Sequence, residues 1–307
     1  MATSDEAPRR TWPLPVAGAL GSVIALGVTY LAYVHTETGQ RAENGAVHQA
    51  QTAGVADPAF SALLKGGAGT VLLASVAVLA LVVGVVRARL AGALAVLGVI
   101  GGSVGLTELL KVSVLDRPDL YDTSVAGHNS FPSGHVTAAM SVLVAFALVS
   151  PRKVRPLVLG GGSVAVAAVA IATVALGWHR LSDTLGGCLV PAVLGCLVAT
   201  WLGRTRAHPH PAWFVAALVV PSIVPIAGRL ALGSATSFAE RLDTSIMLAG
   251  AGAPAVAIAL VALLHGVDLA KAVNATPAER EESEPRGRHH LGDRWITGRH
   301  SMDASGA

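Results

Sequence analysis

Charge is scarce in this sequence. Of its 307 residues only 13% are Asp, Glu, Lys or Arg, while 52% are apolar. Soluble domains carry about 25% charged residues, so with a mean hydropathy of +0.59 a soluble globular fold is excluded and a membrane protein is implied. The net charge is only +3, with no basic stripe, which removes nucleic acid as a partner. Aromatics make up 4%, leaving Ala, Val, Leu and Gly to fill the apolar runs. There are two cysteines, Cys188 and Cys196, eight residues apart on one expected helix. Eight residues of helix separate them by about 12 Å, too far for a disulfide, so both read as packing residues.

The apolar runs divide the chain. Residues 1–11 are a polar N-terminal segment with Arg9 and Arg10. The run from Trp12 to Val34 is too long for a signal-peptide core and lacks a small-residue cleavage site, which makes it an uncleaved first span. His35 to Lys65 reads as a polar loop with a short helix at its end. Further spans are expected at Thr70–Val86, Leu90–Leu110, His135–Val149, Leu157–Trp178, Asp183–Leu202, Trp213–Leu232 and Ile246–Leu264. The fold class is therefore all-α, a polytopic membrane bundle of about eight transmembrane helices. Gly98-x3-Gly102 and Gly101-x3-Gly105 mark the third span for close helix packing. Residues 12–206 form the core, 207–265 add two spans, and 266–307 are a polar, mixed-charge tail of the composition that stays disordered.

Against this apolar background, titratable residues gather in two windows, KVSVLDRPDLYDTSVAGHNSFPSGH from Lys111 to His135 and GWHRLSD from Gly177 to Asp183. Pro132-Ser133-Gly134-His135 leads straight into an apolar run, so Ser133 can cap a helix whose first N–H groups Gly134 leaves open. A helix N-terminus of that kind is an anion site, with phosphate the obvious ligand. His179 and Asp183 are four residues apart and share a helix face. A carboxylate on one imidazole nitrogen fixes the tautomer and leaves the other nitrogen free as nucleophile. Loop parity puts both windows on one side of the membrane.

Together these residues resemble the type-2 phosphatidic acid phosphatase superfamily, whose signature is K-x6-R-P, then P-S-G-H, then S-R-x5-H-x3-D. Residues 132–135 match the middle element outright, and His179 with Asp183 matches the end of the last. Two departures stand out: Lys111 and Arg117 are separated by five residues instead of six, and the Ser-Arg pair falls on Ala172 and Thr173. The resemblance spans roughly Thr11 to Arg206 and implies a six-helix phosphatase-like core.

It also implies roles. His179 attacks phosphorus to give a phosphohistidine, His135 protonates the leaving oxygen, and Asp183 orients His179. Lys111, Arg117, Ser133 and Gly134 bind the phosphate. His128 and Arg180, to which the resemblance gives no role, are candidate auxiliary groups by their place in the two windows. No cofactor and no metal are implied; Asp116, Asp119 and Asp122 read as loop solvation. The substrate class is a lipid phosphomonoester or pyrophosphate, such as phosphatidic acid, phosphatidylglycerol phosphate or undecaprenyl pyrophosphate, whose tail stays in the bilayer. The alternative is a non-catalytic phospholipid-binding or transport protein that retains the anion site. The N-terminal segment and the 2–3, 4–5 and 6–7 loops hold nine Lys and Arg, against seven on the opposite side. By the positive-inside rule that gives a multi-pass plasma membrane protein with cytoplasmic termini and the site on the outer face. The oligomeric state is left open.

Overall fold

The computed structural model describes residues 13–52, 67–121, 129–151 and 153–201. The chain divides into two compact units, Met1–Val273 and Asn274–Ala307, and every described residue belongs to the first. The N-terminal segment, His128, the two expected spans after residue 206 and the polar tail lie outside the described residues.

Six α-helices make up the described part: α1 (Pro13–Thr29), α2 (Glu37–Thr52), α3 (Ala68–Leu109), α4 (Gly134–Val149), α5 (Arg155–Ala175) and α6 (Leu181–Trp201). π-Helical turns at Tyr30–Val34 and Leu110–Val114 extend α1 and α3. The class is all-α, but the expected eight spans around a six-helix core are not found. Four stretches among the described residues are long and apolar enough to cross a membrane, Pro15–Val34, Gly69–Val114, Arg155–Ala175 and Leu181–Trp201. The physical reasons are local. The expected second and third spans are the two arms of one 46-residue apolar stretch, and the expected fourth is a helix of only 16 residues.

The long stretch is not straight. Helical geometry fails at Ala88 (φ −138°) and Arg89 (φ 49°), and a Cβ on Gly84 would lie 2.8 Å from the Gly92 carbonyl oxygen. Eight residues of straight helix would hold these two glycines about 12 Å apart, so the chain reverses here, and only residues without a side chain permit so close an approach.

Helix α4 sits at the centre, packed on α3, α5 and α6. Its sequence is apolar all round, and it is buried on nearly every face from Val136 to Val149, as such a pattern demands. The outer helices behave oppositely: only 11% of the apolar window is buried in α1 and in α3, against 67% in α6. Leu20, Ile24, Val28, Leu31, Val71 and Leu72 stay exposed. An apolar surface of this extent matches lipid contact, and the molecule is a multi-pass membrane protein.

Two sets of contacts define the bundle ends. Buried Arg155 donates to the carbonyls of Ala147, Leu148 and Ser150 at the end of α4, with the Gly84–Gly92 reversal against Val149 nearby. At the other end, Tyr30 after α1 bonds Asp116 after α3. There the Ser133 N–H before α4 also donates to the Asp183 carbonyl of α6 at 2.9 Å. That last contact depends on Gly186 and Gly187, where any Cβ would meet Phe131 and the Ser133 carbonyl oxygen.

Candidate active site

The site is assembled by chain ends at that second pole. Helix α5 stops in a Schellman turn, in which Gly177 (φ 69°) donates to Val174 O and Trp178 donates to Thr173 O. A left-handed residue is required at this point, and glycine supplies it without strain. The turn sends His179 back over α5, its N–H also bound to Thr173 O at 3.1 Å. Helix α6 begins at once, and Asp183 in its first turn reaches back so that Oδ2 accepts the Arg180 N–H at 2.8 Å. This is the acidic half of a capping box. It fixes Asp183 where its carboxylate faces His179 Nδ1 at 3.4 Å, leaving Nε2 on the opposite edge of the ring.

Ser133 caps α4 through Val136 N–H, so that helix starts at Gly134 and does not run back through the cap. His135, on the first turn, lies with its ring centroid 6.0 Å from that of His179 and 5.6 Å from Trp178. A Cβ on Gly134 would stand 3.7 Å from Lys111 Nζ and 3.5 Å from Glu108, which is how close the lysine comes to the open end of α4. Lys111 also reaches Glu108 Oε1 at 3.5 Å. The Arg117 side chain is 7% exposed. Its Nη1 is 3.8 Å from Asp183 Oδ1 and its Nη2 is 3.3 Å from Glu43 Oε2.

Six of the nominated residues, Lys111, Arg117, Gly134, His135, His179 and Asp183, thus meet at one pole. Ser133 is there as well, but with its hydroxyl spent on the cap and its N–H on Asp183 O. Arg180 is buried behind Asp183, its Nε donating to Asn44 Oδ1 at 2.8 Å and its Nη1 to Ser130 Oγ at 3.2 Å. Burial and then the Arg117 charge lower its pKa, opposed by Asp183 and Glu43. Ala172 and Thr173, where the signature has Ser-Arg, are buried at the end of α5, and the Thr173 hydroxyl donates to Ala170 O.

Sequence inspection missed Ser130 and all of α2. Ser130 Oγ donates to Asp183 Oδ2 at 2.6 Å, the shortest hydrogen bond to that carboxylate. Asn129 fastens the loop by donating to Lys111 O and Leu115 O. The stretch read as a polar loop is helix α2, and Gln40, Glu43, Asn44 and Val47 are 3%, 4%, 4% and 2% exposed. That i, i+3, i+4, i+7 spacing is a helix face, hidden because three of its four members are polar. Gln40 donates to Val34 O and Pro118 O and accepts from Tyr121 N–H, and Asn44 donates to Tyr121 O. Glu43 accepts from the Ser182 N–H at 2.6 Å and the Ser182 hydroxyl at 2.9 Å. Burial and then the neighbouring Asp183 push its carboxyl up to about 7, against the Ser182 bonds and the Arg117 charge.

Among the described residues, Arg117 Nη1 and Asp183 Oδ1 are buried without a hydrogen-bond partner, and His179 Nδ1 has only the 3.4 Å contact with Asp183 Oδ2. Such a grouping at one place is unusual in a folded protein.

Residues 92–207 match the PAP2 superfamily. The match starts in the second arm of α3, not at Thr11. It takes in every nominated site residue from Lys111 to Asp183, and leaves α1 and α2 outside. No curated protein and no solved structure matches the chain.

Proposed function

We propose that the protein is an integral-membrane hydrolase of lipid phosphate esters or pyrophosphates, working through a phosphohistidine. The observation that carries this is the pairing of two histidines on different helices, ring centroids 6.0 Å apart, of which one alone is backed by a buried carboxylate. Two imidazoles at that separation address opposite sides of one phosphorus-centred group. The PAP2 match over the same residues supports the class of reaction.

In the first step the Nε2 lone pair of His179 bonds to phosphorus while the bond from phosphorus to the leaving oxygen breaks. His135 gives its proton to that oxygen, and the alcohol or phosphate departs. Asp183, held by Ser130 and the Arg180 N–H, keeps the Nδ1 proton of His179 in place and balances the positive ring. In the second step water attacks phosphorus, His135 takes the water's proton, and inorganic phosphate leaves with His179 restored. Lys111 and Arg117 balance the charge on the non-bridging oxygens, and the N–H groups at the start of α4 add to it. The bound lipid keeps its tail among the exposed apolar faces of the outer helices. The site faces the outside, with both termini in the cytoplasm.

A second reading, binding or transport of a phospholipid without turnover, draws on the absence of an arginine at Thr173 and on Arg117 already being engaged by two carboxylates. Phosphate release from a panel of lipid phosphates by purified protein separates the two: the enzyme releases phosphate and His179→Ala abolishes it, whereas a binding protein releases none.

A further inference from the structure

Helix α2 lies outside the matched stretch, yet it enters the site. Glu43 is 4% exposed and serves three donors: Oε1 takes the Ser182 N–H, and Oε2 takes both the Ser182 hydroxyl and Arg117 Nη2. It therefore joins α2, the segment after α3 and the first turn of α6. The other face of the same guanidinium, Nη1, is buried with no hydrogen-bond partner among the described residues and stands 3.8 Å from Asp183.

We infer that Glu43 is a positioning residue of this site: ionised, it holds Arg117 by Nη2 and so directs Nη1 toward a phosphate oxygen. This rests on the hydrolase proposed above and extends it to a helix that the family match does not include. The charged groups facing Glu43 are Arg117 from the segment after α3, Asp183 from α6 and Arg180 from the turn before α6. With its pKa at about 7, Glu43 is neutral in mild acid and charged in mild base, so the grip on Arg117 is made as pH rises.

Glu43→Gln isolates that charge. The amide oxygen still accepts the Ser182 N–H and the amide NH2 donates to the Ser182 hydroxyl, so the link to α6 survives. Toward Arg117 the NH2 presents a donor to a donor, and the pair is lost. Below the pKa of Glu43 the wild type is itself uncharged at this position, so glutamine imitates it.

The experiment measures kcat/KM on an aryl phosphate, and the affinity for orthovanadate by calorimetry, for the full-length protein in detergent from pH 5.5 to 9. The ratio of wild type to Glu43→Gln cancels the titration of the two histidines. It is expected near 1 below pH 6 and about tenfold above pH 8, the worth of one charged hydrogen bond, in both measurements. Ser182→Ala removes a hydrogen bond that holds the Glu43 pKa down but leaves the Arg117 pair, so its ratio is expected to rise above 1 only around pH 7 to 8 and to fall back by pH 9. A pH-independent ratio for Glu43→Gln, of whatever size, overturns the inference, because a scaffold role would give that. If the wild type binds vanadate with the expected ratio but releases no phosphate, positioning by Glu43 stands and hydrolysis falls. A wild type that does neither overturns both.

Discussion

Gly187→Ala adds one methyl group to the place where α4 meets α6. The new Cβ would lie 2.9 Å from the Ser133 carbonyl oxygen, 2.9 Å from Val136 Cβ and 3.2 Å from the Thr137 nitrogen. These are atoms on or next to the main chain of the first turn of α4, so no rotamer change relieves the contact and the helix start must move by a few tenths of an ångström. Overpacking of this kind costs about 1–3 kcal/mol. The 2.9 Å bond from Ser133 N–H to Asp183 O stretches with it, for about 1 kcal/mol more. The sum lowers Tm by about 3–6 °C at this chain size. His135 rides on the displaced turn, and a misplacement approaching 1 Å between catalytic groups costs about 100-fold in rate. Gly101→Ala is the control, since nothing lies within 4 Å of its Cβ and the helix gains about 0.5–1 kcal/mol in propensity. Thermal unfolding in detergent and phosphate release from the same preparations read both effects. A Gly187→Ala protein that melts within a degree or two of wild type and keeps its full rate would refute the reasoning.

Other perturbations separate the remaining parts. His135→Ala should spare an aryl phosphate at least tenfold more than an alkyl lipid phosphate, because a stable leaving anion needs little protonation; equal losses on both substrates would remove His135 from the acid role. Ser130→Ala should lower kcat about tenfold with little change in KM, since the hydroxyl contacts Asp183 and Arg180 but not the substrate; a KM effect alone would contradict this. Arg155→Met leaves the Ala147, Leu148 and Ser150 carbonyls short of their donor and should cost about 2–3 kcal/mol in unfolding with an unaltered KM. Glu43, whose carboxyl rises from 4.5 to about 7 on folding, binds its proton more tightly in the folded chain. Its contribution to stability is therefore complete below pH 4.5 and is lost as pH rises through about 7. Wild type should lose several degrees of Tm between pH 5 and 8, and Glu43→Gln should show no such loss.

Much of the site was legible because polar residues in an apolar chain must be accounted for one by one. His135, His179 and Asp183 stand at the ends of hydrophobic runs, and local rules place them: a serine cap, a glycine that ends α5, an acid at the third position of α6. Helix packing was less legible. The Gly98–Gly105 pattern pointed to the third span, but Cβ atoms on Gly101 and Gly105 would meet nothing, and of that set only Gly102 presses on a neighbour, Leu194. The tight contacts are at Gly39, Gly84, Gly92, Gly162, Gly186, Gly187 and Gly195, where small residues carry no spacing that names their partner. The span count failed for a related reason. The break that hydropathy marked at Arg87–Arg89 is where the chain reverses, but the expected fourth span, α4, is short and is buried by protein on nearly every side. Helix α2 was illegible because hydropathy cannot register a buried polar face; Glu43 and Asn44 are held by donors and acceptors 74 to 139 residues away in sequence.

The central claim is that His179, backed by Asp183, takes the phosphoryl group from a lipid. Purified wild type and His179→Ala, in detergent with EDTA, given a lipid phosphate labelled with phosphorus-32 and quenched within the first turnovers, test it directly. The account expects label on the wild-type chain that is stable to alkali and lost in acid, as a phosphohistidine is, with free phosphate following and neither appearing in His179→Ala. Phosphate release without a labelled chain, or labelling that survives in His179→Ala, would contradict it.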